Sequence, residues 1–378
     1  MNPTRNLIPS LLNQHYDTYI FGPGYQTKEV LDKGIQDFVD KYGPFELTCS
    51  NEHIAIFYPE AADDFEHNYL PMFKNNFYSN FLLEQKHLED MSNYFRKIES
   101  SRKVLFLLEF DYYWLSEERL LLIEELDAFI VGFGEQFITP KDEMTHIQKE
   151  SFSDLVNDRW YNFVKGSNKI IQFTHFVNYS EFYWESIDVR KYECSVPGVG
   201  YWARKEAYKN LKNEHKKMSK NYHNKIYHLL SKMGIKSYSS QLLLSNYIEV
   251  FNQIIRDSKY AYTCGSALNW PIRKFFEIPA KGTLLISLPF KNFEHLGFIN
   301  EDNCIIAEPE NIISVVNNLN ENLENAQDIA DRGRKMVHEN HSISARSQQL
   351  KMAFDAIIKA TFDGSYWESG RFIVREKK

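Results

Sequence analysis

The sequence predicts an α/β fold built from two parallel-sheet units, on three observations. Short apolar runs alternate with segments of helical period along most of the chain. Two glycine turns each follow such a run and lead into a helical segment. Gly22-Pro23-Gly24 follows Thr18–Phe21, and Gly198-Val199-Gly200 follows the Lys191–Val196 run. Strand, glycine turn and helix together form the opening of a nucleotide-type unit. Finally, 378 residues are too many for one ordinary core, so two domains are expected.

Residues 1–17 are a lead-in. Thr18–Phe21 is a β-rich run, and Thr27–Tyr42 has helical character. Gly22 and Gly24 either make a tight turn or let a ligand approach the backbone. Phe45–Phe57 supplies the next strand, and residues 61–100 are mixed and helical in tendency. Lys103–Phe110 (K-V-L-F-L-L-E-F) is a buried strand that runs into Asp111-Tyr112-Tyr113-Trp114. Ligands in open α/β sheets sit beyond the carboxyl ends of strands. Glu109, Asp111 and these aromatics therefore lie where an acceptor would bind, or else they form a loop that packs aromatics and leaves Asp111 solvated.

Ser116–Leu126 is a helix, with Ser116 as N-cap and Glu117 and Glu118 suiting the dipole. Ala128–Val131 and Asn168–Phe173 are further strands, and residues 136–166 between them are helical or irregular. His175 follows the second of these strands, as a cleft residue or as a satisfied structural histidine. The domain boundary falls near 178–188. Beyond the Lys191–Val196 strand a helix starts near Trp202. Gly198 and Gly200 permit close backbone approach, and helix N-termini favour anions. Arg204 and Lys205 either neutralise a diphosphate or lie solvated. Residues 205–232 are lysine-rich and suit a solvated helix, or else a local patch for an anionic acceptor or membrane surface.

Tyr247–Asp257 is a helix and Lys259–Thr263 a strand. Gly265 and Ser266 open a turn, Trp270–Ala280 has helical spacing, Gly282 stops it, and Thr283–Leu288 is a strand. Glu277, between Phe276 and Ile278, is out of character for a buried run. A carboxylate there needs a partner: Arg273 one turn earlier, the hydroxyls of a ligand, or both. Cys304–Ala307 is a short strand. Asn311–Leu323 and Ala326–His338 are amphipathic helices, and Ser342 N-caps a last one.

Composition removes several classes. A net charge of -7 argues against a general nucleic-acid binder. Four scattered cysteines give neither a disulfide frame nor a zinc site. No apolar run nears the ~20 residues that span a bilayer, and no signal segment is evident, so a cytoplasmic location is expected. No tandem repeat or low-complexity tract is present.

The run R-K-F-F-E-I-P-A-K-G-T-L-L-I at 273–286, with L-G-F at 296–298, resembles the C-terminal domain of GT-B glycosyltransferases. The likeness is closest to the branch that includes the CgeB-like spore-maturation proteins. K-Y-E-C-S with the glycines, Tyr201 and Arg204, and H-E-N-H-S-I-S-A-R at 338–346, resemble the same family. The resemblance covers residues 185–350 and reaches the N-terminal half only weakly. It implies two Rossmann-like domains with parallel sheets facing a central cleft. Residues 1–180 would be the acceptor domain, completed by a C-terminal helix over 352–378, and residues 185–350 the donor domain.

In the family the glutamate matching Glu277 holds the ribose hydroxyls of a nucleotide-sugar. Gly198, Gly200, Arg204, Lys205, Ser266, Asn269, Arg273 and Lys274 join it as donor-binding candidates, with Gly22 and Gly24 near the cleft. The resemblance implies a nucleotide-diphosphate-sugar as donor substrate, a glycan or other hydroxyl acceptor, and no cofactor. Helix N-termini and basic side chains, rather than a metal, would stabilise the leaving diphosphate, and no Asp-x-Asp is present. Asn269 stands where retaining relatives carry a second glutamate, which leaves the retaining or inverting outcome open. The candidates for a general base are Asp111, Glu109 and His175. Two alternatives accompany this reading. One is another nucleotide-binding α/β enzyme, an oxidoreductase or epimerase, disfavoured by the lack of G-x-G-x-x-G after a first strand. The other is a non-catalytic glycan-binding or assembly protein, which Asn269 keeps in view.

Overall fold

The computed structural model describes residues 3–22, 25–42, 54–57, 90, 93–94, 96–97, 103–107, 117–144, 158–198, 201–213, 239–266 and 268–377. Helix α1 (Pro3–Leu12) buries Ile8 and Leu11. The single helix expected over Thr27–Tyr42 is two, α2 (Lys28–Lys33) and α3 (Ile35–Tyr42). Gly34 separates them at φ 91°, a conformation glycine adopts without steric cost. The freed N–H of Ile35 donates instead to Asp90 Oδ2 at 2.7 Å. Thr18–Phe21 does not form the expected strand; Ile20 O accepts from Gln26 Nε2 at 2.8 Å.

The first sheet is parallel and holds β1 (Ala55–Phe57), β2 (Lys103–Leu107), β3 (Phe129–Gly132) and β4 (Ile170–Gln172) in chain order. Its register pairs Val104 with Phe129 and Ile130 with Ile170. All of β2 is buried, as a strand covered on both faces requires. Helix α4 (Glu117–Leu126) crosses from β2 to β3, and α5 (Arg159–Val164) precedes β4.

The second sheet repeats the plan with β5 (Tyr192–Ser195), β6 (Ser258–Thr263), β7 (Leu284–Ser287) and β8 (Ile305–Ile306), again parallel and in chain order. Its helices are α6 (Trp202–Asn213), α7 (Ser239–Arg256), α8 (Lys274–Ala280), α9 (Ile312–Glu321) and α10 (Leu323–His341), and α11 (Ile343–Ile358) follows and packs back on α1, its Ser347 Oγ donating to Leu11 O at 2.6 Å. Alternate strand residues face two cores. Tyr260, Tyr262, Leu284 and Ile286 pack with Ala207, Val316 and Ile329. Ala261 and Leu285 join Phe275, Phe276 and Ile278 in a core continuous with Val131 and Ile171 of the first sheet. Buried Arg190 fastens the start of the second unit, donating to the carbonyls of Glu185, Ser258 and Lys281 and to Thr283 Oγ1.

Ser342 caps α11, its Oγ accepting from Ala345 N at 3.3 Å. The terminal helix expected over 352–378 ends at Ile358. A hairpin follows, β9 (Phe362–Glu368) and β10 (Arg371–Glu376), turned by Ser369 (φ 48°) and Gly370 (φ 81°). Two consecutive positive φ values suit a two-residue hairpin loop. Ser369-Gly370 between aromatic-rich runs was the signal for it.

The hairpin touches both units. Ser365 Oγ accepts from Gln172 N at 2.8 Å, and Trp367 Nε1 donates to Gln172 O at 3.0 Å, covering the β4 edge. Both backbone groups of Trp367 are held by the Gln136 amide, and Gly370 N donates to His295 O at 2.9 Å. Among the described residues, two separate four-stranded parallel sheets form the α/β architecture the sequence predicts. Among the described residues no helix is long and apolar enough to cross a membrane.

Candidate functional site

The carboxyl ends of β4, β5 and β6 and the N-terminal half of α8 supply most of the described candidates. Gly198 follows β5 at φ 93°. A Cβ there would lie 2.3 Å from Lys274 Cε, 2.9 Å from Lys274 Nζ and 3.0 Å from Arg204 Nη1. The glycine therefore permits two cationic side chains to meet the turn. Arg204 is buried, 2 % exposed, with its guanidinium 5.0 Å from the Tyr201 ring and Nη2 donating to Cys264 O at 3.4 Å. Lys205, one residue on and about 100° round the helix, is exposed. Of the two basic residues at the start of α6, only Arg204 turns inward.

Lys274 opens α8, half-buried, with Nζ 5.5 Å from the Phe251 ring. It has no ion pair among the described residues. Burial and, next, the Arg204 charge bring its pKa down to about 8, against the pull of Glu277. Arg273 precedes it and is buried between two carboxylates. One Nη donates to Glu277 Oε1 and the other to Glu181 Oε1 at 2.5 Å. Glu277 is 7 % exposed. Burial pushes its carboxyl up, but Arg273, Lys281 and Lys274 together outweigh that and hold it below the ordinary carboxylate value. The partner named from the sequence for Glu277, Arg273, is the one it has. Lys281, fully buried, reaches Glu277 O at 3.5 Å.

The loop between β6 and α8 is tight, with Ser266 at φ 64° and Asn269 at φ 57°. Ser266 Oγ accepts from Leu268 N at 3.3 Å, and Trp270 N donates to Gly265 O at 2.6 Å. Asn269 folds back over Gly265, where a Cβ would come within 2.9 Å of its Oδ1. Ser266 and Asn269 thus shape the loop that delivers Lys274. Because of this loop, α8 starts at Lys274, not at Trp270.

His175 lies three residues beyond β4, its ring 6.4 Å from Phe133. Burial, then the Arg273 charge, with Arg346 and Lys274 adding to it against Glu277, bring its pKa down to about 3. The imidazole is neutral at pH 7, so it offers a hydrogen bond and no charge. Its backbone carbonyl accepts from Arg346, which also donates to Thr174 Oγ1 and lies over the Trp367 ring. The first sheet thus brings His175 to the charged end of α8. Gly22 (φ 146°) has nothing within 4 Å of a built Cβ, and its carbonyl accepts from Tyr25 N and Gln26 N, which closes a local turn. Glu109, Asp111, Gly24 and Gly200 lie outside the described residues.

Two features went unread in the sequence. Glu181, in a single 3-10 turn (Tyr179–Glu181), is the second carboxylate on Arg273. Ser195, Thr263 and Ser287 end β5, β6 and β7, all fully buried, and their hydroxyls have no hydrogen-bond partner among the described residues. The register pairs Ser195 with Ala261 and Thr263 with Ser287, which puts the three hydroxyls on one face. A small polar residue closing each of three successive apolar strands was the available signal.

Residues 247–352 match the family described as glycosyl transferase-like. No curated protein matches the sequence. Among solved structures, the fold is similar to HepE of Anabaena in complex with UDP and glucose, at 8% identity and a TM-score of 0.41, covering 67% of this chain and 78% of that one. It is also similar to a glycosyltransferase of Rickettsia africae, at 13% identity and a TM-score of 0.45, covering 93% and 88%. An alpha-glucosyltransferase in complex with UDP-glucose and DNA containing an abasic site matches at 12% identity and a TM-score of 0.43, covering 73% and 77%. The family match contains β6, α8, β7 and α10; Gly198, Arg204, Glu181 and His175 lie before it.

Proposed function

We propose, from the match of residues 247–352 to a glycosyl transferase-like family and from the two parallel sheets, that this protein is a GT-B-type enzyme that moves a sugar from a nucleotide-diphosphate-sugar to a hydroxyl acceptor. The observation that carries the proposal is Lys274. This half-buried cation, without an ion pair among the described residues, lies beside Arg204 against a glycine turn at the carboxyl edge of a parallel sheet. Concentrated positive charge at that edge fits a diphosphate. In the reaction the bond from the anomeric carbon to the diphosphate breaks, the acceptor oxygen forms the new bond, and the acceptor's hydroxyl proton passes to the departing diphosphate. Lys274 and Arg204 neutralise the charge that collects on the departing phosphate.

Glu277 accepts from the ribose hydroxyls through the oxygen that Arg273 leaves open. His175, held neutral, offers a hydrogen bond from the first unit. The Ser195, Thr263 and Ser287 hydroxyls add unfilled polar capacity beneath the site. Because cationic side chains do the neutralising, activity is expected to survive EDTA.

A thermal-shift panel with UDP, GDP, dTDP and NAD tests the reading. One nucleoside diphosphate should raise Tm, since a ligand at 100 times its Kd adds about 2.7 kcal/mol. NAD should not, and a response to NAD alone would favour the oxidoreductase alternative. Slow hydrolysis of the matching nucleotide-sugar would then separate an enzyme from a binding protein.

A further inference from the structure

Arg273 is shared between two parts of the chain. Glu277 comes from its own helix, α8. Glu181 comes from the segment that joins the two sheets, where its Oε1 also accepts from Asn178 N at 2.8 Å. Each carboxylate gives one oxygen to the guanidinium. The second oxygen of each has no hydrogen bond among the described residues. Arg273 Nε is buried without a partner. With one arm of the guanidinium held by Glu181, Arg273 meets a single oxygen of Glu277 and leaves the other unbonded among the described residues.

We propose that Glu181 is a positioning residue for the donor site: it holds Arg273 to one oxygen of Glu277 and so keeps the other open for a nucleotide hydroxyl. This rests on the reading of Glu277 as a donor-binding residue. With Glu181 in place, Arg273 keeps a counter-charge whichever carboxylate the ligand takes. Without it, the guanidinium closes on both oxygens of Glu277, as Arg–carboxylate pairs prefer, and the nucleotide must break that pair. Because Glu181 lies in the joining segment, nucleotide arrival also changes the load on that segment. By reciprocity, whatever fixes the segment changes nucleotide affinity by the same factor.

The test uses the full chain with UDP, GDP and dTDP as probes, by calorimetry, on wild type, Glu181→Gln, Glu277→Gln and the double variant. The expected result has four parts. Wild type binds one of the three, and Glu277→Gln loses most of that affinity. Glu181→Gln raises Kd about tenfold, within the usual range for coupled groups. The double variant binds no more weakly than Glu277→Gln alone, because both act through one arginine. Glu181→Asp, which keeps the charge, should regain most of the loss, and Glu181→Ser, which also removes the charge, serves in place of Glu181→Gln if that variant does not fold. A Glu181→Gln protein with lowered Tm but wild-type Kd would overturn the proposal, leaving Glu181 as a brace. Additive losses in the double variant would overturn it too. If wild type binds none of the probes, or Glu277→Gln binds as wild type does, the donor reading itself fails and takes this inference with it.

Discussion

Lys274 and its neighbours give the residue-scale prediction. Lys274→Met removes the charge and keeps the length. It should lower kcat/KM for nucleotide-sugar hydrolysis by about 2–4 kcal/mol of transition-state stabilisation, as loss of an oxyanion donor does. Wild-type nucleotide affinity should be fully present below about pH 8 and fall as pH rises through it, because the anion prefers the protonated amine. The Met variant should lose that dependence. Fold stability moves the other way. The folded pKa is depressed below the ordinary 10.5, so the unfolded chain binds the extra proton between about pH 8 and that value, and stability rises with pH across the window. A calorimetric pH series on both proteins checks both signs. At this scale the sequence was legible where chemistry clashed with its setting. Glu277 among phenylalanines announced a partner, and i,i+4 spacing named Arg273. It was illegible where packing decides which face of a helix turns inward. Nothing in W-A-R-K separates buried Arg204 from exposed Lys205 before α6 is docked.

Packing between elements sets the next prediction. Gly333 lies inside α10, where alanine would ordinarily gain about 1 kcal/mol of helix propensity. A Cβ there would come within 2.5 Å of Asn303 O, a backbone atom with no room to retreat. Asn303 is itself fixed, donating to Gly297 O and accepting from Ile299 N, both at 2.8 Å. Gly333→Ala should therefore destabilise the protein despite the better propensity, by about 1–3 kcal/mol, as overpacking does. Urea midpoints would show it, and a stabilised variant would mean that α10 can slide. Strand positions in the second unit were legible within a residue or two, because a buried parallel strand is a continuous apolar run. The α2/α3 break was not, since Gly34 is compatible with either a helix or a stop until Asp90 arrives from far along the chain.

The whole molecule is held across its two units by the residues of β9 and β10. Trp367 is fully buried, lies over Arg346, and bonds to Gln136 and Gln172. Trp367→Ala should cost about 3–5 kcal/mol, the usual loss for a buried aromatic. Because one core also runs through both units, the loss should appear in a single cooperative urea transition, and a transition that splits in two would show that the hairpin alone coupled them. The two-sheet plan was legible from the alternation of runs, whereas the hairpin was hidden because its partner strand edge lies far back in the chain. That distance has a consequence during synthesis. Ser365 follows Gln172 by 193 residues. A ribosome adding 5–20 residues each second needs about 10–40 s to make that stretch. For that interval the nascent first sheet offers β4 as an open rim to any neighbouring polypeptide, so chains stalled before residue 362 are the ones a holdase chaperone should be found guarding.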